Sequence, residues 1–197
     1  MENNMEKKRN RNAVRSENMI TQAYIELLQE VPAERITVTA IVKRAELNRS
    51  TFYAHFGCPE DVHRMLEQRI ADELLESINR VDLRNTMKNP KPLLAVLAEI
   101  IESRKSFLKL MFERNSSLSW LDRISDAVLD KFLSDTENVA QYKDKDELTV
   151  KLRFFVGGYI SLCRDYIVNK ISSPISELTD ILSETIAGGL REGMTDR

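Results

Sequence analysis

Residues 37–56 read T-V-T-A-I-V-K-R-A-E-L-N-R-S-T-F-Y-A-H-F, and this stretch decides the fold, because it spells two short helices meeting at a sharp turn. The first helix starts at Thr37, whose side-chain oxygen can cap a free backbone N–H, and it buries Val38, Ile41, Val42 and Ala45 at helical spacing. Thr39 and Lys43, four apart, then point outward. Asn48 is a second cap, and Leu47 before it pairs with Phe52 after it as a hydrophobic staple, so a new helix begins at Arg49. At about 100° per residue, Phe52 and Phe56 share the inward face while Ser50 and Ala54 point away from it. Thr51, Tyr53 and His55 lie on the flanks.

That outer face suits entry into a DNA groove. Small side chains at Ser50, Thr51 and Ala54 let a helix approach base edges, and Arg49 at the helix start can fork onto guanine. Tyr53 and His55 sit where phosphates would pass, and Thr37, Thr39 and Lys43 of the first helix complete the candidate DNA contacts. Any short amphipathic helix pair produces a similar wheel, so the pattern alone leaves a purely structural reading open. The order T-F-Y-x-H-F narrows it.

From Ile36 to Phe56 the chain resembles the tetracycline-repressor (TetR) type regulators, whose N-terminal domain carries an I-T-V-x-x-I…A-x-x-x-R-x-T-F-Y-x-H-F pattern. The resemblance runs over roughly residues 14–75. It implies an all-α protein: a three-helix helix-turn-helix head on a helical regulatory and dimerisation domain, binding double-stranded DNA as a homodimer. It also implies phosphate contacts from Tyr53 and His55, with Arg49, Ser50, Thr51 and Ala54 nearest the bases. Two positions depart from the family. Glu46 stands where the family usually has Gly, so a positive φ or an altered turn is expected there. Pro59 replaces a Lys that often meets DNA backbone, so one phosphate contact is expected to be missing. Pro59 suits the first turn of a helix, and Glu60 and Asp61 suit its positive end.

A hydrophobic content of 42 % over 197 residues is enough for one globular unit or two small ones, and no apolar run reaches the roughly 20 residues of a membrane span. Met1 to Arg15 has no apolar signal core, so a cytoplasmic location is expected. Cys58 and Cys163 lack a C-x-x-C spacing and are read as reduced, with no disulfide framework or zinc site. The net charge of −2 argues against nucleic acid until its distribution is examined. Residues 1–56 carry nine Lys/Arg against seven Asp/Glu, and residues 57–197 carry twenty against twenty-four. Lys7, Lys8, Arg9, Arg11 and Arg15 make residues 1–14 and their border a basic flexible arm, either lying on phosphates or free in solvent.

The head is expected over 15–58, with a helix from about Ser16 to Glu30 as its third wall, and 59–81 is a connecting helix. Residues 82–197 form a helical ligand-binding and dimerisation domain, with Asp82 to Pro92 as linker. Helices are predicted over Pro92–Ser103, Ser106–Arg114, Ser117–Leu133, 146–169 and 174–191. The segment 146–169 is apolar nearly all round, so it and 174–191 are expected to pair with a second copy as a four-helix bundle. Gly157 and Gly158 inside that helix fit close helix approach, a kink, or a ligand near the backbone.

No Gly-rich phosphate loop, nucleophile elbow or H-E-x-x-H motif is present, so an enzyme is not expected and no cofactor, metal or catalytic residue is assigned. His63 and Glu67, four apart, read as a surface pair. Phe107, Met111, Phe112, Trp120, Phe155 and Tyr159 either pack as core or line an apolar effector cavity. The resulting expectation is a homodimeric repressor released from a palindromic operator by a small molecule, with the fourth helix carrying the motion. The alternative is a DNA-binding activator or adaptor whose body docks a protein partner.

Overall fold

The computed structural model describes residues 2–81, 85–114, 119–135, 139–140 and 142–191, with side chains from residue 11 on apart from 114 and 119. Among the described residues there are eight α-helices and no strand, in agreement with the expected all-α class. The chain divides into two compact units, Met1–Arg69 and Ile70–Arg197.

The first unit holds α1 (Glu2–Glu30), a 3-10 turn (Ala33–Arg35), α2 (Val38–Arg44), α3 (Arg49–Tyr53) and the start of α4 (Pro59–Arg80). Helix α1 begins at Glu2, not at Ser16 after a flexible arm. No Gly or Pro occurs before Pro32, and the Met, Glu, Lys, Arg and Ala residues ahead of Ser16 are good helix formers, so local propensity extends the helix. Pro32 then stops it, since the residue before a proline is pushed out of the helical region. Ile20, Tyr24 and Leu28 of α1 close over Ile41 of α2, Phe52 of α3 and Val62 of α4, all at most 1 % exposed. Six large apolar side chains removed from water make this small core.

The second unit holds the rest of α4, then α5 (Lys91–Arg114), α6 (Ser119–Ser134), α7 (Lys145–Ile167) and α8 (Ile175–Arg191). Helix α7 packs on α5, α6 and α8, and α5 also packs on α8. Its core includes Met111, Trp120, Leu148, Leu152 and Leu190. The two helices expected over Pro92–Ser103 and Ser106–Arg114 are one. Nothing between them breaks a helix, and Ser103 Oγ bonds to the Ile100 carbonyl within it. Arg104 pairs with Glu73 and Lys105 lies 3.6 Å over the Tyr166 ring, so the polar stretch read as a break is an outward face held by neighbours. Of the expected linker, residues 82–84 lie outside the described residues, and the rest is packed: Met87 and Thr86 are buried, and Met87 belongs to the core. Asn and Pro there mark a tight turn, not an open connection.

Helix α7 starts on the Asp144 carboxylate, which accepts from the N–H groups of Asp146 and Glu147. It ends at Asn169, with φ 60, where the Asn169 and Lys170 N–H groups return to the Tyr166 and Asp165 carbonyls. Gly189 on α8 is needed for the α7 packing, because a Cβ there would stand 2.5 Å from Phe155 Cζ. Tyr142 donates to the Leu190 carbonyl at 3.0 Å and closes the end of α8. No described helix is long and apolar enough to cross a membrane.

Candidate nucleic-acid interface and body cavity

Both predicted caps are present. Thr37 Oγ1 accepts from the Ala40 N–H at 3.2 Å, and Asn48 Oδ1 accepts from the Thr51 N–H at 2.7 Å. Asn48 Oδ1 also receives the Ser50 and Thr51 hydroxyls at 2.7 and 2.8 Å, so one amide oxygen organises the first turn of α3. Thr37, Thr39, Lys43, Arg49, Ser50, Tyr53 and Ala54 are exposed, while Thr51 and His55 are half-buried. Arg49 Nη2 donates to Thr39 Oγ1 at 2.6 Å, which brings α2 and α3 together through two of the residues singled out in the sequence. A guanidinium carries five donors, so a single bond of this kind leaves the fork available for base edges. Phe52 and Phe56 face inward, with ring centroids 5.9 Å apart.

The turn between the helices bears out the expectation at Glu46, whose φ is 53. The Glu46 N–H reaches the Lys43 carbonyl at 3.4 Å and the Leu47 N–H reaches the Val42 carbonyl at 2.9 Å. This pair of bonds is the Schellman arrangement, with Glu46 at the left-handed position that glycine fills most easily. A side chain there costs roughly 1–2 kcal/mol, partly offset by the larger unfolded-state freedom of glycine. Glu46→Gly is therefore expected to stabilise the first unit by about 0.5–1 kcal/mol, read as a higher midpoint in urea with an unchanged slope. A lower midpoint would show that the turn is not strained.

A cavity of about 150 Å³ lies in the second unit, walled by α4 to α8. Of the residues proposed from sequence, Phe112, Trp120, Phe155 and Tyr159 line it, whereas Phe107 and Met111 do not. Met111 is buried in the core at 1 % exposure, the plain packing role open to it from the start. The sequence reading missed Leu74 and Ile78 of α4, Leu97 and Ile101 of α5, and Cys163 of α7, which also line the cavity. Aliphatic lining has the same helical spacing as ordinary core and leaves no separate mark in a sequence.

The pattern of the bacterial regulatory proteins of the tetR family matches residues 20–58, the span that holds the C-terminal part of α1, all of α2 and α3 and both caps. This match places the helix-turn-helix segment, residues 20–58, in the tetR family. Solved structures extend the likeness in fold over most of the chain. The dihydroxyacetone kinase operon activator DhaS is 18 % identical with a TM-score of 0.67, covering 91 % of this chain and 98 % of that one. The fatty acid degradation regulator FadR from Bacillus halodurans is 16 % identical with a TM-score of 0.61, covering 89 % and 96 %. A TetR transcriptional regulator from Streptococcus agalactiae 2603V is 18 % identical with a TM-score of 0.61, covering 90 % and 97 %. By sequence, no curated protein matches the chain. The matched segment and the shared fold support a DNA-binding regulator.

Within the first unit, His63 and Glu67 are not a surface pair. They are 7 % and 6 % exposed, with His63 Nε2 3.5 Å from Glu67 Oε1 and His63 Nδ1 3.0 Å from the Tyr24 hydroxyl. Burial lowers the His63 pKa and raises that of Tyr24, so a neutral imidazole bridges α1 to α4. Spacing along one helix could not reveal this, because the covering side chain comes from 39 residues earlier. Ser16 is the second residue missed: its Oγ lies 2.7 Å from His55 Nε2, tying the end of α3 to α1. At the Pro59 departure, the Gly57 and Cys58 N–H groups donate to Asp61 Oδ2 at 2.9 and 3.0 Å. A carboxylate thus satisfies the donors at the start of α4, and its ion pair with Arg64 is the main cause of its lowered pKa.

Proposed function

We propose that this chain is a homodimeric repressor that grips a roughly palindromic operator and leaves it when a small molecule fills the cavity of the second unit. The observation that carries the reading is the polar surface of α2 and α3, left in solvent around a closed apolar core. Arg49, Ser50 and Ala54 read base edges, and Lys43, Thr37, Thr39 and Tyr53 hold the backbone. Thr51 and His55, engaged with Asn48 and Ser16, set the position of α3 behind them.

Dimerisation through α7 and α8 is supported by what these helices leave uncovered. Phe154 is 73 % exposed, Val150 67 % and Ile181 53 %, and a Cβ added at Gly157, Gly158 or Gly188 would meet nothing within 4 Å. An apolar face of this kind, with glycines that admit a close neighbour, fits a two-fold partner. Two heads then read half-sites about one helical turn apart.

Release is supported by the composition of α4. Leu74 and Ile78 line the cavity, and Val62 and Leu66 of the same helix are buried apolar residues of the first unit. A ligand that favours one placement of α4 by about 1–3 kcal/mol changes operator affinity roughly 5- to 150-fold. An activator or adaptor that docks a protein partner on Phe154 and Val150 is the second reading, favoured by the same exposed face. The apolar cavity favours the small-molecule reading over it.

Selection of genomic fragments on the purified protein is expected to recover one palindromic site. Lys43→Ala should then weaken binding to all sequences and reduce the salt slope by about one, whereas Arg49→Ala should cost about 1–3 kcal/mol at one position and relax the preference there. Equal loss on every sequence for both variants would remove Arg49 from the bases. Salt-sensitive binding without any sequence preference would sink the operator reading.

A further inference from the structure

The cavity wall is almost wholly apolar, yet it contains one donor with nothing to donate to. Trp120 is 2 % exposed, lines the cavity and lies nearly parallel to Phe112, with centroids 5.9 Å apart and an interplanar angle of 13°. Among the described residues its Nε1–H has no hydrogen-bond partner. Buried indole N–H groups almost always find one, so an orphan on a cavity wall points to an acceptor that the ligand brings.

The other polar groups on the wall are spoken for. Tyr159 and Cys163 share a hydrogen bond, and burial raises both, Cys163 to about 12, so both stay neutral. Thr86 already has a partner. Arg164, the one charged residue among the described lining, is exposed. An ionised ligand inside would lose its hydration with no buried counter-charge to replace it. A cavity of about 150 Å³ holds roughly one ring or a short chain.

We propose that the effector is a small, neutral, largely apolar molecule carrying a single hydrogen-bond acceptor, such as a ketone, ester or ether oxygen, and that Trp120 Nε1–H recognises that acceptor. This inference rests on the small-molecule reading above and specifies its chemistry. Trp120 is a binding residue, and Tyr159 and Cys163 form a neutral pair elsewhere in the lining.

Trp120 is the chain's one tryptophan, so a single indole N–H resonance in a nitrogen–proton correlation spectrum reports it without ambiguity. Three probes of similar size separate the possibilities: acetophenone with one acceptor, ethylbenzene with none, and benzoate with a charge. Acetophenone is expected to move the indole proton downfield and to bind about tenfold more tightly than ethylbenzene, with benzoate weakest. Trp120→Phe should erase the preference for acetophenone and leave ethylbenzene binding in place. The wild-type spectra stand alone if that variant does not fold. Equal binding of acetophenone and ethylbenzene with an unmoved indole resonance overturns the role of Trp120 and leaves the cavity reading intact. Preferred binding of benzoate overturns the neutral class. Failure of all three to bind overturns the cavity reading and this inference with it.

Discussion

Phe154→Glu is expected to leave the protein monomeric and to lower operator affinity by about 100-fold, the scale at which a linked second site contributes to binding. The Phe154 ring is 73 % exposed in the single chain, so replacing it removes little of that chain's own core. Folding stability should therefore change by no more than about 0.5 kcal/mol. In a two-fold interface the substitution acts twice, placing two carboxylates in a surface otherwise built from Val150, Ile181 and glycine positions. Each loses hydration without a counter-charge. Gly158→Leu provides an independent version. A helical glycine costs about 1 kcal/mol relative to alanine, so a residue with a side chain should make the monomer more stable while blocking close helix approach. Sedimentation equilibrium, a melting curve and operator titration distinguish the outcomes. A variant that remains dimeric, or a monomer that grips the operator as tightly as the parent, would remove α7 and α8 from the interface.

What could be read from the sequence was local. The Thr37 and Asn48 caps, the inward pair Phe52 and Phe56 and the strained turn at Glu46 each depend on residues within one or two turns, and the structure contains all of them. The misreadings have a common cause in distant neighbours. His63 and Glu67 read as surface residues, but both are buried and the Tyr24 hydroxyl, from far earlier in the chain, meets His63. Arg104 and Lys105 read as a break in α5 because their partners Glu73 and Tyr166 lie far away in the chain. Met87 read as linker for the same reason. The cavity was half legible: large aromatic side chains suggest a wall, but the space between them is set by how five helices diverge, and that is not a property of any one of them.

Phe52→Ala is expected to cost about 3–5 kcal/mol in the first unit, the usual range for deleting a fully buried aromatic side chain. Phe52 is 0 % exposed and sits in the last turn of α3, with its ring 5.6 Å from that of Tyr53 and 5.9 Å from that of Phe56. Helix α3 has five residues, too few to persist on propensity alone, so its geometry depends on this anchor and on the Asn48 cap. A core of this size holds only a few kcal/mol in reserve, and a loss on that scale unfolds a large share of the α2–α3 segment. The variant should therefore lose affinity for every DNA sequence together, unlike Arg49→Ala, which acts at one base position. Amide hydrogen exchange offers the sharper readout. Protection should collapse at Ile41 to Phe56 while Leu148 to Ile167 keeps its own, because the body core contains no part of Phe52. A cost below about 1 kcal/mol would mean that the neighbouring side chains refill the space, and that α3 is held mainly by its cap.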